Sequence, residues 1–191
     1  MSLNIYVLNG PAGVGKDTFV SCVDTNLRNL NGSRAVSISS VGGIKEIATK
    51  FFGYKESVKS DKDRKFLAEL KNLTDDYCDY SFTYIYEEIQ KIRRSNDSDV
   101  YPHVSAIFIM CREPGKIERL CNAYNLKSIF IDSNRDIHKV TNNDADANVR
   151  NWEYDITIHN DKDLANLNKI AEAFVKYEIL GDQKVKIAIY Q

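Results

Sequence analysis

The chain has 191 residues, 43% of them hydrophobic and 28% charged, with a formal net charge of -1. That composition belongs to a folded globular domain and excludes a disordered chain. The near-neutral balance lacks the global basicity of a nucleic-acid binder, and no apolar run approaches the roughly 20 residues that span a bilayer.

The N-terminal residues lack a basic region before their apolar stretch, so a signal peptide is not expected. The four cysteines, Cys22, Cys78, Cys111 and Cys121, form no Cys-x-x-Cys pair. Their spacing suits neither a zinc site nor a dense disulfide framework, and the expectation is reduced thiols in a cytoplasmic protein. The three histidines stand apart and suggest no metal constellation.

In chain order, residues 4–9 are short, apolar and β-prone, and the Gly10-Pro11 breaker ends them. Residues 17–30 carry a helical stripe of Phe19, Val20, Val23 and Leu27, stopped by Asn31-Gly32. A second strand is expected over 35–39. The following Ser39-Ser40-Val41-Gly42-Gly43 suits the cap of a helix over 44–52. From 60 to 95 the pattern is helical throughout, with stripes of Phe66, Leu67, Leu70 and Leu73, then Tyr84, Ile85, Ile89 and Ile92. Strands follow at 105–111, 127–132 and 154–159, with helices at 114–120 and 164–177. Residues 184–190 alternate and suggest an additional edge strand.

Strands alternating with helices predict an α/β domain in three layers, a parallel five-stranded sheet with helices on both faces. The wholly helical insert, about 44–95, is expected over the strand ends where such sheets bind ligands. Residues of about 133–150 are expected to form a short lid within what reads as one domain over 1–191.

Gly10-Pro11-Ala12-Gly13-Val14-Gly15-Lys16-Asp17-Thr18 has the spacing G-x-x-x-x-G-K between a strand and a helix. Glycines allow the tight turn and the inward-pointing N–H groups that cradle phosphate. The helix adds its positive N-terminal end, and Lys16 has the reach of the β- and γ-phosphates. The motif predicts binding of a nucleoside triphosphate such as ATP, with magnesium. The residue after the lysine is ordinarily Ser or Thr, a magnesium ligand. Here it is Asp17, with Thr18 next, so both are candidate metal ligands, Asp17 through a bound water.

The Gly-x-x-Gly-x-Gly-Lys-x-Thr loop resembles that of nucleoside monophosphate kinases, and its Lys16-Asp17-Thr18 version looks most like phage-type deoxynucleoside monophosphate kinases. Three weaker segments resemble the same group: Asp63 to Lys71 with Tyr77 to Phe82, Ile107 to Glu118 with its Arg112-Glu113-Pro114, and Asn151 to Asn160. The resemblance covers residues 4 to about 175. It implies transfer of the ATP γ-phosphoryl group to a nucleotide monophosphate. Neither a nucleic acid nor a membrane is expected as a partner, on the charge and hydropathy above, and a monomer or homodimer is expected.

That chemistry asks for positioning and positive charge. Arginine grips phosphate bidentately, and the chain offers Arg64, Arg112, Arg119, Arg135 and Arg150. Arg64, in the insert, is expected at the acceptor phosphate, or else on a charged face beside Asp61 and Asp63. Arg112, at the exit of an apolar strand, is expected near the transferring group. These two are placed on opposite sides of a cleft facing Lys16. Lys71, two helical turns after Arg64, reads on its own as a surface lysine. Asp132 is either a carboxylate reaching magnesium through water or a turn residue. Arg135 and Lys139 are assigned to the lid over ATP. The clustered Tyr77, Tyr80, Tyr84 and Tyr86 read as helix packing, with one of them a candidate for base stacking. Two alternatives stand beside this reading: a P-loop kinase for another small phosphorylated acceptor such as dephospho-coenzyme A, and a nucleotide-binding regulatory module.

Overall fold

The structure, a computed structural model, describes residues 3–56, 60–98, 102–134 and 149–183. The chain divides into two compact units, residues 1–37 with 95–191, and residues 38–94.

The first unit is built on the sheet. Strands β1 (Asn4–Asn9), β2 (Arg34–Ser39, of which 34–37 belong to this unit), β3 (Val104–Met110), β4 (Lys127–Asp132) and β5 (Ile156–His159) stand in the order β2-β3-β1-β4-β5. The sheet is parallel, as the alternation of elements predicts. Registers pair Leu8 with Met110, Asn9 with Phe130 and Asp132 with His159. The C-terminal ends of β1, β3, β4 and β5 therefore share one edge. Of the sequence expectations, the strand over 154–159 is two residues too long, because Asp155 is drawn off to β4. Its carboxylate accepts the Ser128 N–H at 2.7 Å and the Ser128 hydroxyl at 2.8 Å.

Helices cover both faces. On one face, Tyr6, Leu8, Ala106, Phe108, Ile129, Ile131, Ile156 and Ile158 alternate inward against α1 (Lys16–Asn31) and α6 (Leu164–Phe174). Phe174 packs edge-on against Tyr6 and Phe19 at 5.2 and 5.5 Å between ring centroids. On the other face lie Val7, Ile107, Ile109 and Phe130, and α5 (Pro114–Tyr124) buries Ile117 and Leu120 there. The last helix was expected to run to residue 177. It ends at Phe174, and Val175–Ile179 continues as one π-helical turn. Residues 184–190, the expected edge strand, lie outside the described residues.

The second unit is helical: α2 (Gly42–Phe52), α3 (Asp61–Cys78) and α4 (Tyr80–Asn96, of which 80–94 belong to this unit). Helix α3 starts with a reciprocal cap, in which the Ser60 hydroxyl accepts from Asp63 N–H and the Asp63 carboxylate accepts from Ser60 N–H. It ends at Asp79, whose φ of 52° is left-handed, and α4 starts at once. Glycines 42 and 43 open α2 rather than preceding it. A Cβ on Gly43 would lie 2.6 Å from the Tyr84 ring and 2.8 Å from that of Tyr80, so glycine is needed for this close approach. The Tyr84 hydroxyl donates to Glu46 at 2.8 Å. Tyr80 and Tyr84 thus pack helices, as expected, whereas Tyr77 is exposed.

Lys71 corrects the expectation of a surface lysine. It is buried, with its ammonium 3.5 Å from the largely buried Asp75 carboxylate. Asp75 also accepts the Ser81 N–H at 2.8 Å, which caps the first turn of α4. A lysine in the middle of α3 is therefore held by a carboxylate whose place is dictated by the next helix. The i,i+4 spacing of Lys71 and Asp75 is visible within α3, but the Ser81 contact that fixes Asp75 comes from the next helix.

Candidate functional site

The site is the loop between β1 and α1. Leu8 and Asn9 are fully buried at the end of a central strand, so the chain leaves the sheet at a fixed point. The Asn9 side chain folds back, its Oδ1 accepting the Gly10 N–H at 2.7 Å. Its amide donates to the Tyr154 hydroxyl at 2.6 Å and to the Arg112 carbonyl at 3.4 Å. The Tyr154 hydroxyl donates in turn to the Val149 carbonyl at 2.7 Å. Burial pushes the pKa of this phenol up to about 12, so it remains a donor.

Three glycines then take positive φ: Gly10 at 146°, Gly13 at 74° and Gly15 at 99°. Two of these positions admit nothing larger. A Cβ on Gly10 would fall 2.4 Å from the Ile131 carbonyl oxygen, and one on Gly15 would fall 2.6 Å from the Asn160 amide nitrogen. Val14 is completely buried, so it serves through its backbone while its side chain anchors the loop to the core. Ala12 and Gly13 lie exposed on the outer bend. Among the described residues, the N–H groups of Gly13 and Gly15 meet no hydrogen-bond acceptor. Backbone N–H groups left unpaired in such a turn form an anion cradle.

Helix α1 begins at Lys16, as the motif requires, and its N-terminal end faces the loop. The Lys16 ammonium donates to the carbonyls of Gly10 at 2.6 Å and Pro11 at 2.7 Å. The cation thus lies along the loop, where it adds positive charge to the cradle. Asp17 and Thr18 are exposed on the first turn of α1. Magnesium usually keeps several waters and takes only one or two protein oxygens beside substrate phosphates. The donor set here, one hydroxyl and one carboxylate beside an anion cradle, fits that habit. No cluster of three or more His, Cys, Asp or Glu side chains among the described residues could hold a metal.

Asp132 ends β4 on the same edge. Burial alone would raise its carboxyl. The Arg150 guanidinium and the Ser133 N–H outweigh this and hold it below the usual carboxylate value. Arg150 grips it bidentately at 2.6 and 3.0 Å, and lies 5.5 Å from the centroid of the Phe130 ring. Phe130 in turn stacks on Tyr154 at 4.8 Å. Ser133 N–H donates to Asp132 at 2.8 Å, so the carboxylate at the end of β4 is held by its own chain as well as by Arg150.

Arg112 follows β3, and its backbone carbonyl touches the Asn9 amide that orders the loop. Arg64 is exposed on the first turn of α3, in the second unit. Arg135 and Lys139, with most of the expected lid, lie outside the described residues. Sequence reasoning missed Asn9, Tyr154 and Asn160 as supports of the loop. Their signal was faint: polar residues at the end of, just before, or just after an otherwise apolar strand.

No family model matches the chain, and no curated protein matches it. Among solved structures, an unliganded sugar kinase from Janibacter sp. HTCC2649 is similar over 97% of this chain and 98% of its own, at 14% identity and a TM-score of 0.47. A likeness of that degree carries no argument about activity.

Proposed function

We propose that the chain binds the phosphates of ATP at Gly10–Thr18 and transfers the γ-phosphoryl group to a nucleoside or deoxynucleoside monophosphate. The observation that carries the first half is the loop itself. A buried strand, three positive-φ glycines, two N–H groups without an acceptor and a lysine ammonium converge at a helix N-terminus. The second half rests on the resemblance of the loop and of three further segments to monophosphate kinases. Phosphoryl transfer needs little covalent chemistry from the protein, so cations placed around the transferring group account for most of the catalysis. Lys16 and Arg112 take this role beside the loop, and Arg64 binds the acceptor phosphate. Magnesium, held by Thr18 or through water by Asp17, would neutralise charge on the phosphates.

One observation favours a second reading, a nucleotide-binding regulatory module. Both Asp132 oxygens are engaged by Arg150, so the carboxylate nearest a magnesium-assisting role is already paired. Screening ATP-dependent ADP release against all ribo- and deoxynucleoside monophosphates, with dephospho-coenzyme A included, separates these. ADP release with one monophosphate supports the kinase. Release with dephospho-coenzyme A alone moves the acceptor. ATP binding with no acceptor-dependent release leaves the regulatory module. In the active pair, Arg64→Ala should raise the acceptor KM. Arg112→Ala should lower kcat by roughly 30- to 1000-fold, the loss expected from removing one cationic contact to the transition state.

A further inference from the structure

We propose that Asn160 is a positioning residue for phosphate: its side-chain amide sets the Val14–Gly15 peptide so that the Gly15 N–H faces the bound phosphate. The inference rests on the reading of Gly10–Thr18 as a phosphate site. Asn160 follows β5, two strands away from β1 in the sheet. It is buried, 6% exposed, and its Nδ2 donates to the Val14 carbonyl at 2.8 Å. A trans peptide holds its C=O and N–H on opposite sides. Tying the Val14 oxygen to Asn160 therefore turns the Gly15 N–H away from Asn160, toward the inside of the loop. Without that tie the peptide is free to turn over, which would present a carbonyl oxygen to an anion.

Asn160 is itself fixed on both sides of its own backbone. Its N–H donates to the Asp132 carbonyl at 2.8 Å, and its carbonyl accepts the Ser133 hydroxyl at 2.8 Å. The turn after β4 thus aims the residue after β5, which aims the loop after β1. The need for glycine at position 15 follows from the same contact, because a Cβ there would displace the amide. Gly15 therefore has two reasons to be glycine, its φ of 99° and the room Asn160 takes.

The test uses the full chain, with ADP and magnesium as probe, in wild type, Lys16→Ala, Asn160→Ser and Asn160→Leu. Serine is too short to reach Val14, and leucine keeps the volume without the donor. Two quantities are read: the ADP dissociation constant, and the shift of the Gly15 amide 15N–1H resonance on ADP addition. Losing a buried hydrogen bond that orders the loop should weaken ADP by about 10- to 100-fold in both Asn160 variants. The Gly15 amide, strongly shifted by ADP in the wild type, should no longer respond at saturating ADP. A residue that only stabilised the fold would lower the melting temperature and leave that response intact. If Lys16→Ala weakens ADP while both Asn160 variants bind like wild type, the role of Asn160 is wrong and the phosphate site stands. If Lys16→Ala binds like wild type, the phosphate site fails and the proposal with it. Loss of the folded state in both Asn160 variants also overturns it, since Asn160 would then serve the core.

Discussion

Asp132 and Arg150 carry opposite charges in a geometry that makes them sensitive to acid. The guanidinium meets both carboxylate oxygens, and the Ser133 N–H supports one of them. The folded-state pKa of Asp132 lies below its ordinary value. Its contribution to stability is therefore complete above the ordinary carboxylate pKa and is lost as pH falls through the lower, folded one. The Arg150 side chain is 59% exposed, so solvent screening limits the pair to no more than about 1 kcal/mol. Asp132→Asn should flatten the acid side of the stability curve by that amount while leaving stability at neutral pH lower by no more. Urea titrations from the acid range up to neutral pH measure it. An acid limb as steep in the variant as in the wild type would mean that the pair contributes nothing. Arg150 shows how a sequence hides such a residue: its partner is 18 positions earlier, across a segment with no regular pattern.

At the level of elements, the strands and helices were legible wherever burial imposes a period. Strand β4 was expected over 127–132 and is found at Lys127–Asp132, because it is apolar between polar ends and lies inside the sheet. The glycine loop after β1 was legible because glycine is required by backbone angle, and that requirement is written in the residue type. The supports of the loop were not. Tyr154, Asp155 and Asn160 lie close together in the chain and stood out only through a resemblance. Each does something different: Tyr154 holds Asn9, Asp155 sets β5 against β4 through Ser128, and Asn160 holds Val14. Each contact bridges strands distant in sequence, so no local spacing reveals it. The core makes its own prediction. Phe174 meets Tyr6, Phe19 and Phe108 where α6 and α1 cover the sheet. Phe174→Ala should cost about 3–5 kcal/mol by leaving a cavity among rings. Chemical denaturation measures this, and a cost below about 1 kcal/mol would contradict the packing described.

For the molecule as a whole, the sheet collects the relevant groups at one edge. The loop after β1, the carbonyl of Arg112 after β3, Asp132 at the end of β4 and Asn160 after β5 are linked by hydrogen bonds within the first unit. This is the edge at which parallel α/β sheets bind ligands. The helical unit of residues 38–94 has its own anchor in the buried Lys71–Asp75 pair and in the tyrosines packed on Gly42 and Gly43. What joins these observations to chemistry is the lysine-bearing loop, proposed to hold the γ-phosphate of ATP for transfer. The most direct measurement follows the label from γ-32P-ATP in the presence of magnesium and each nucleoside monophosphate, with wild type and Lys16→Ala side by side. Label should appear in a nucleoside diphosphate for at least one acceptor, and should be lost in Lys16→Ala. Label that stays in ATP with every acceptor, or that transfers equally well without Lys16, would contradict this.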